Sequence, residues 1–179
     1  MHIISGTHKG HKIAVPKGAV RPTMDKVREA IFAIIRSEVT HARVLDLFAG
    51  SGSLGLEALS EGAERCDFVE SSHKVIKILQ KNITDLTFEK SVHIHNCSVF
   101  SFLNNCTAIY DLIFFDPPYK REFASKIIKA IYMNNILSDD GIIVAETGKN
   151  EVVAEFEKFI IKEKIYGDTK VTILKKGTV

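Results

Sequence analysis

The stretch that decides the fold is Val44-Leu45-Asp46-Leu47-Phe48-Ala49-Gly50-Ser51-Gly52-Ser53-Leu54-Gly55. A hydrophobic strand runs here into the pattern Gly50-x-Gly52-x-x-Gly55, and a helix is predicted to begin near Ser53. The glycines permit a tight turn and a close approach of the backbone to a ligand, while the N-terminus of the helix offers free N–H groups. The stretch therefore predicts a strand–loop–helix unit that binds a ligand at the carboxyl end of its strand.

The next apolar strand, Cys66-Asp67-Phe68-Val69, ends at Glu70, which can accept hydrogen bonds from ribose hydroxyls. Taken alone, this pattern is typical of NAD-binding Rossmann proteins, which remain an alternative. Two details argue against NAD: Asp46 precedes the glycines and would attract positive charge, and the loop contains no basic residue to hold phosphates. An adenosine ribose at Glu70 and a cationic amino-acid end near Asp46 describe S-adenosylmethionine.

A second motif follows the apolar run Leu112-Ile113-Phe114-Phe115, which predicts a fully buried parallel strand. The motif is Asp116-Pro117-Pro118-Tyr119, and its prolines cannot continue a sheet ladder because they lack an N–H. The strand therefore ends in a rigid elbow, where Asp116 and the Pro117 carbonyl can accept the hydrogens of an exocyclic amine while Tyr119 stacks on the ring. The alternative for this motif alone is a proline-stiffened turn with a surface Asp.

The order of glycine loop, acidic strand end and DPPY resembles the class I methyltransferases that modify exocyclic amino groups of nucleobases. The N-terminus narrows the resemblance to the RsmD-type methyltransferases of small-subunit ribosomal RNA. These enzymes methylate N2 of one guanine, numbered 966, in bacterial 16S RNA. The matching stretches cover nearly the whole chain: IISG (3–6), KGHKI (9–13), RPT (21–23), VREAIF (27–32), LGLEAL (54–59), FL (102–103) and YGDT (166–169).

The resemblance implies S-adenosylmethionine as methyl donor and S-adenosylhomocysteine as product. Relatives often place an acidic or amide residue after the third strand to receive the adenine amine; this chain has Asn96-Cys97-Ser98, so Ser98 takes that role. The predicted catalytic residues are Asp116, Pro117 and Tyr119. The predicted cofactor-binding residues are Asp46, Phe48, Gly50, Ser51, Gly52, Gly55, Glu70, Ser71, Ser98, Val99 and Asp116. No metal site is predicted, because His93 and His95 lack a third ligand with suitable spacing.

Positive charge is concentrated at the N-terminus. Residues 1–43 have a net charge of +5, and the remaining residues sum to −3. Such a segment beside a base-modifying site is the footprint expected for a phosphate backbone, although a solvated basic face is the alternative. Arg28 can reach phosphates or pair with a nearby acid, and the segment 21–23 can line a pocket or simply cap a helix. The predicted RNA-binding residues are Lys9, Lys12, Arg21, Thr23, Arg28 and Tyr119.

Strands and helices alternate from residue 43 onward, which predicts an α/β, Rossmann-like, doubly wound and mainly parallel sheet. The resemblance adds seven strands with an antiparallel strand at the C-terminus. A short hairpin (3–5 and 12–15) and a helix over 25–37 with Thr23 as N-cap precede the sheet, and a last helix is predicted over 150–158. We expect a basic arm packed on the core at 1–42 and a cofactor-binding core at 43–179.

The chain is expected to be a cytoplasmic monomer that acts on 16S ribosomal RNA within the assembled small subunit. Its three cysteines are odd in number and lack C-x-x-C spacing, which favours a reducing compartment. No apolar run is long enough for a membrane span, and no signal peptide is recognised. A DNA adenine-N6 or cytosine-N4 methyltransferase remains an alternative, since DPPY serves those amines too, but the chain has no inserted target-recognition domain.

Overall fold

The computed structural model describes residues 1–16, 22–117, 123–151 and 153–176, without the side chains of residues 22–24 and 154. None of the helices in these ranges combines the length and the hydrophobicity that a membrane span requires. The helices are α1 (Pro22–Ile35), α2 (Ser53–Ser60), α3 (His73–Asp85), α4 (Val99–Asn105) and α5 (Phe123–Met133). The strands are β1 (Arg43–Leu47), β2 (Arg65–Val69), β3 (Val92–His95), β4 (Tyr110–Phe115), β5 (Leu137–Gly148), β6 (Ile160–Tyr166) and β7 (Thr169–Lys175).

The seven strands form one sheet in the order β3-β2-β1-β4-β5-β7-β6. Strands β1 to β5 run parallel, and β7 pairs antiparallel with both β5 and β6. The predicted fold class is thereby confirmed. The strand order reverses between β1 and β4, and a crevice at such a point is where open α/β sheets bind ligands. The glycine loop follows β1 and Asp116-Pro117 follow β4, so the two sequence motifs begin at this crevice.

Three local predictions differ from the structure. The N-terminal hairpin forms, but it pairs residues 1–3 with 10–13 rather than 3–5 with 12–15, through the His2–Lys12 bridge and three backbone hydrogen bonds, and a 3-10 turn over Gly6–His8 lies at its tip. Thr23 lies inside α1 rather than at its N-cap, since the helix begins at Pro22, and proline is favoured in the first turn. The helix predicted over 150–158 is a 3-10 helix, Ala154–Phe159, whose Phe156 ring stacks on Tyr132.

The N-terminal segment is fixed to the sheet domain by one buried carboxylate. Glu57 on α2 has no exposed surface and accepts N–H bonds from Ile4 at 2.9 Å and Ser5 at 2.8 Å. Its Oε2 also accepts a hydrogen bond from Nε of Arg28 at 3.1 Å, and Nη2 of Arg28 donates to the His2 carbonyl at 2.5 Å. Backbone amides and a guanidinium therefore compensate the buried charge of Glu57. The boundary near residue 42 stays a prediction.

A buried amide makes the second attachment. Asn82 on α3 pairs with both backbone polar groups of Ala14: its Oδ1 accepts the N–H at 2.8 Å and its Nδ2 donates to the carbonyl at 2.8 Å. The same Nδ2 donates to the carbonyl of Ser51 at 2.9 Å. The N-terminal segment and the glycine loop are thus held by one side chain, which fixes their relative positions.

We predict that Glu57→Gln lowers the free energy of unfolding by about 3 kcal/mol, because an amide NH₂ would replace an acceptor that faces Arg28 and two backbone N–H groups. Urea-induced unfolding followed by circular dichroism measures the change. Glu64→Gln, on the exposed surface beside β2, is the matched control and should stay within about 0.5 kcal/mol of the unsubstituted protein. Equal effects of the two substitutions would contradict the anchoring role of Glu57.

Candidate active site

Four carboxylates project from the same face of the sheet, at the carboxyl ends of adjacent strands. They are Asp46, Glu70, Asp116 and Glu146. Side chains alternate along a strand, so each acid lies on the same face of the sheet as the residue two positions before it. Those preceding residues all belong to the hydrophobic cluster that the sheet forms with α1: Val44, Phe68, Phe114 and Val144. Strand register therefore gathers the four acids at one edge of one sheet face.

The carboxylates surround a cleft of about 240 Å³. The glycine loop forms one side of the cleft, and the N-terminal segment forms another through Met1, Val15 and Pro16. Arg28 is the one basic side chain among the described residues that line the cleft, and its guanidinium is already paired with Glu57 and Asp25. Acidic groups thus dominate the cleft, which disfavours an anionic ligand and favours a cationic one.

The glycine loop has the backbone conformation that its sequence predicts. Gly50 and Gly52 have φ values of 57° and 83°, in the left-handed region where glycine is favoured. A Cβ on Gly52 would lie 2.4 Å from Cδ1 of Leu79, and a Cβ on Gly55 would lie 2.4 Å from Cε1 of Phe68. Phe48 also has a positive φ, 61°, which is a strained conformation for a bulky residue and is typical of functional sites.

Backbone amides hold two of the acids in place. Oε2 of Glu70 accepts the Gly50 N–H at 3.1 Å, and its Oε1 accepts the Ser72 N–H at 2.8 Å. Oδ2 of Asp46 accepts the Gly55 N–H at 3.0 Å near the start of α2. Asp46 therefore already occupies an N–H that a bound phosphate would use, which is a further argument against a pyrophosphate in this loop.

Proximity and burial raise the pKa values of these acids. Burial, together with the charges of Asp116 and Glu70, raises the pKa of Asp46 to about 8. Burial and the charges of Asp116 and Asp46 raise the pKa of Glu146 to about 8. The Asp116 side chain is exposed at the cleft mouth, yet desolvation by the surrounding protein raises its pKa to about 6. A bound cation would relieve this repulsion.

An apolar side pocket of about 110 Å³ adjoins the cleft at the ends of β2 and β3. Three aromatic rings surround it: Phe123 lies 5.8 Å from Phe48 and 5.3 Å from Phe100, between ring centroids. Ser98 also lines this pocket and caps α4, because its Oγ accepts the Ser101 N–H at 3.2 Å. A flat, largely apolar ring with a polar edge fits such a pocket.

Most of the predicted cofactor residues line these two spaces. Asp46, Phe48, Gly50, Ser51, Glu70 and Asp116 line the cleft, and Phe48, Glu70, Ser71, Ser98 and Val99 line the side pocket. Gly52 and Gly55 line neither and instead pack the loop against Leu79 and Phe68. Their predicted contact with the cofactor stays a prediction.

Only some of the predicted catalytic and RNA-binding residues lie among the residues that the structure describes. Asp116 reaches the cleft and Pro117 is buried behind it, whereas Tyr119, Arg21 and the side chain of Thr23 lie outside the described residues. Lys9 and Lys12 are exposed on the N-terminal segment.

Arg28 requires a correction. It is only 2% exposed and pairs with Glu57 and Asp25, so its predicted contact with RNA phosphates is replaced by the alternative of pairing with an acid. The described residues contain no group of three or more His, Cys, Asp or Glu that could hold a metal ion.

Sequence reasoning missed three functional positions. Glu146 ends an apolar run just as Asp116 does, and that parallel could have identified it. Glu57 and Asn82 both lie within helices and bond to residues more than fifty positions away. No local pattern marks either contact.

Comparisons with known proteins agree with this geometry. A family model described as "Conserved hypothetical protein 95" matches residues 1–175. YlbH of Bacillus subtilis (strain 168) is 37% identical over 182 residues, which cover 98% of this chain and 99% of that protein. Ribosomal RNA small subunit methyltransferase D of Escherichia coli (strain K12) is 35% identical over 148 residues, covering 82% and 74%. The solved structure of the Escherichia coli protein yhhF is 32% identical, with a TM-score of 0.89 and coverage of 100% and 99%.

We predict that Asp46→Asn stabilises the ligand-free protein increasingly as pH rises from 4 to 8. The folded state holds a proton on Asp46 up to about pH 8, whereas the unfolded state releases it near 3.8, so the unsubstituted protein loses stability across this window. Asparagine carries no charge and keeps an acceptor for Gly55, so the gain at pH 8 should be roughly 2 kcal/mol or more. Urea unfolding at several pH values measures it.

The control for this series is Asp140→Asn, at an exposed position of β5. Its effect on the free energy of unfolding should be small and nearly constant with pH. A gain for Asp46→Asn that does not change between pH 4 and pH 8 would show that this carboxylate is not desolvated in the fold.

Proposed function

The chain belongs to the RsmD family of small-subunit ribosomal RNA methyltransferases, and from that premise we propose that it transfers a methyl group from S-adenosylmethionine to N2 of guanine 966 in 16S RNA. The observation that carries the proposal is the acidic cleft between β1 and β4, with Asp116 at its mouth. Such a cleft suits a cationic donor, and Asp116 suits an amine acceptor of the methyl group.

The cleft and its side pocket fit the methyl donor part by part. Carboxylates at Asp46 and Asp116 complement the positive ammonium and sulfonium groups, and no unpaired basic side chain among the described lining residues opposes them. Glu70, held by two backbone amides, is placed to accept ribose hydroxyls. The aromatic side pocket with Ser98 suits adenine. When bound, S-adenosylmethionine supplies an electrophilic methyl group on its sulfonium.

The chemistry required of the protein is mainly positioning. The lone pair of guanine N2 is delocalised into the ring, so the amine is a poor nucleophile until it is turned toward the methyl group. Asp116 and the Pro117 carbonyl accept the two N–H bonds and hold the nitrogen in line; well-oriented pairs reach effective molarities of ~10⁵ M or more. The amine becomes acidic as the new N–C bond forms, and the Asp116 carboxylate takes the proton. Stacking by Tyr119 stays a prediction.

The N-terminal segment is the proposed RNA contact. Lys9 and Lys12 are exposed, and residues 1–43 carry a net charge of +5 beside a cleft that is itself acidic. Phosphates would therefore be attracted to the segment and not to the cleft. We propose that the enzyme acts as a monomer on the assembled small subunit, because so short a basic segment offers few contacts with which to position a guanine by itself.

We predict that Asp116→Ala lowers kcat/KM for methyl transfer by at least about 10²-fold. The N2 amine would lose a hydrogen-bond acceptor, and the proton released on methylation would lose the carboxylate that takes it. Binding of S-adenosylhomocysteine, followed by calorimetry, should persist, since the side pocket, Glu70 and Asp46 remain. Asp140→Ala, at the exposed position of β5, is the control and should keep full activity. Full activity of Asp116→Ala would refute the assigned role.

We also predict that purified enzyme methylates small subunits faster than protein-free 16S RNA and leaves duplex DNA unmodified. Radiolabelled methyl incorporation compares the three substrates, and mass spectrometry of RNA fragments identifies the modified nucleotide. Equal rates on protein-free RNA would remove the requirement for the assembled particle. Labelling of duplex DNA at adenine or cytosine would instead favour the DNA methyltransferase alternative.

A further inference from the structure

We propose that Glu146 selects guanine as the target base by accepting a hydrogen bond from guanine N1–H, while Asp116 and Pro117 hold N2. The inference rests on the proposed function and extends it from the reacting amine to the recognition of the base. Its basis is the place of Glu146 in the cleft, the absence of a hydrogen-bond partner for it within the described chain, and the donor pattern of guanine.

The order of the strand ends puts Glu146 on the target side of the cleft. The side pocket proposed for adenine lies at β2 and β3, and Glu70 and Asp46 follow at β2 and β1. Asp116 comes next at β4, and Glu146 lies beyond it on β5. The register pairs Phe115 with Ala145, so the next residues on the two strands, Asp116 and Glu146, are neighbours. A base held at Asp116 would therefore have S-adenosylmethionine on one side and Glu146 on the other.

Glu146 differs from Asp46, Glu70 and Glu57 in its hydrogen bonding. Asp46 and Glu70 accept backbone N–H groups, and Glu57 accepts two amides and a guanidinium. The carboxylate of Glu146 lines the cleft but makes no hydrogen bond to any residue in the described ranges. Its oxygens are open to the cleft and free to accept an N–H from a ligand bound there.

Guanine is the base whose donors match two adjacent carboxylates. Its N1–H and its N2 amine lie side by side on the Watson–Crick edge, so two acceptors next to each other can take both. In adenine and cytosine the ring nitrogen beside the exocyclic amine is an acceptor, and its lone pair would face the carboxylate of Glu146. A site built to accept a hydrogen bond strongly rejects an analogue that lacks the donor. Glu146 would thus exclude the other two amino-bearing bases.

Glu146 must be ionised to accept the N1–H of guanine, and its ionised form is favoured when S-adenosylmethionine is bound. Burial opposes the ionisation of Glu146, as do the charges of Asp116 after β4 and Asp46 on β1, while Arg28 favours it from α1. A sulfonium and an ammonium bound beside Asp46 add positive charge to the same cleft. Glu146 is then held as a carboxylate, which is an acceptor only.

The test uses small subunits reconstituted with 16S RNA that carries either guanine or 2,6-diaminopurine at the methylated position. Diaminopurine keeps the reactive N2 amine but presents a lone pair at N1. The unsubstituted enzyme should strongly prefer guanine. In Glu146→Gln the amide NH₂ can donate to that lone pair, so the ratio of kcat/KM values for guanine over diaminopurine should fall at least about tenfold, the factor that corresponds to 1.4 kcal/mol.

Two controls separate this role from others. Asp140→Asn, an acid-to-amide change at an exposed site of the same strand, should leave the ratio unchanged. Calorimetric titration with S-adenosylhomocysteine should give the same Kd for Glu146→Gln and the unsubstituted enzyme; a tenfold weaker Kd would assign Glu146 to the cofactor and overturn the proposal. An unchanged base ratio in Glu146→Gln would also overturn it. If the unsubstituted enzyme leaves guanine unmethylated, the proposed function fails instead.

Discussion

The burial of several carboxylates close together in one cleft is the constraint on which the site depends. Parallel strands end level at one edge of the sheet, and their alternation turns Asp46, Asp116 and Glu146 toward the same face. Burial and, after it, the charges of the neighbouring acids raise the pKa values of Asp46 and Glu146 and destabilise the empty cleft at neutral pH. A cationic ligand removes this cost, so relief of the unfavourable electrostatics contributes to the free energy with which such a ligand binds.

The same constraint explains why Arg28 is buried and already paired. A free guanidinium at the cleft would neutralise the acids and compete with a cationic ligand, whereas Arg28 is bound to Glu57 and to the His2 carbonyl. That pairing ties the N-terminal segment to α2, and Asn82 ties it to the glycine loop. The proposed RNA contacts at Lys9 and Lys12 are therefore carried by a segment that also forms a wall of the cleft, which couples RNA position to the reacting centre.

Local sequence patterns predicted most of this fold and part of the site, for reasons visible in particular residues. The apolar runs around Val44 and Phe114 fix buried strands, and the glycines and prolines that follow fix where each strand ends. The pairings of Glu57 with Ile4 and of Asn82 with Ala14 join positions more than fifty residues apart, and no periodicity encodes them. The segment 154–159, part of a predicted helix, is a 3-10 helix whose Phe156 ring stacks on Tyr132, a contact that no local pattern predicts.

Under the proposed function, the donor and the base are not bound independently. The carboxylates of Asp116 and Glu146 must be ionised to accept the N2 and N1 hydrogens of guanine, yet in the empty cleft the burial of both groups, with the charges of Asp116 and Asp46 acting on Glu146, favours protonation. The positive charge of the donor at Asp46 lowers the cost of ionising both. Binding of S-adenosylmethionine thus favours the ionised forms of the two carboxylates that hold the base. After methyl transfer, S-adenosylhomocysteine lacks the sulfonium charge, so the ionised forms are favoured less. The acids that attract the donor would then also favour release of the modified base after transfer.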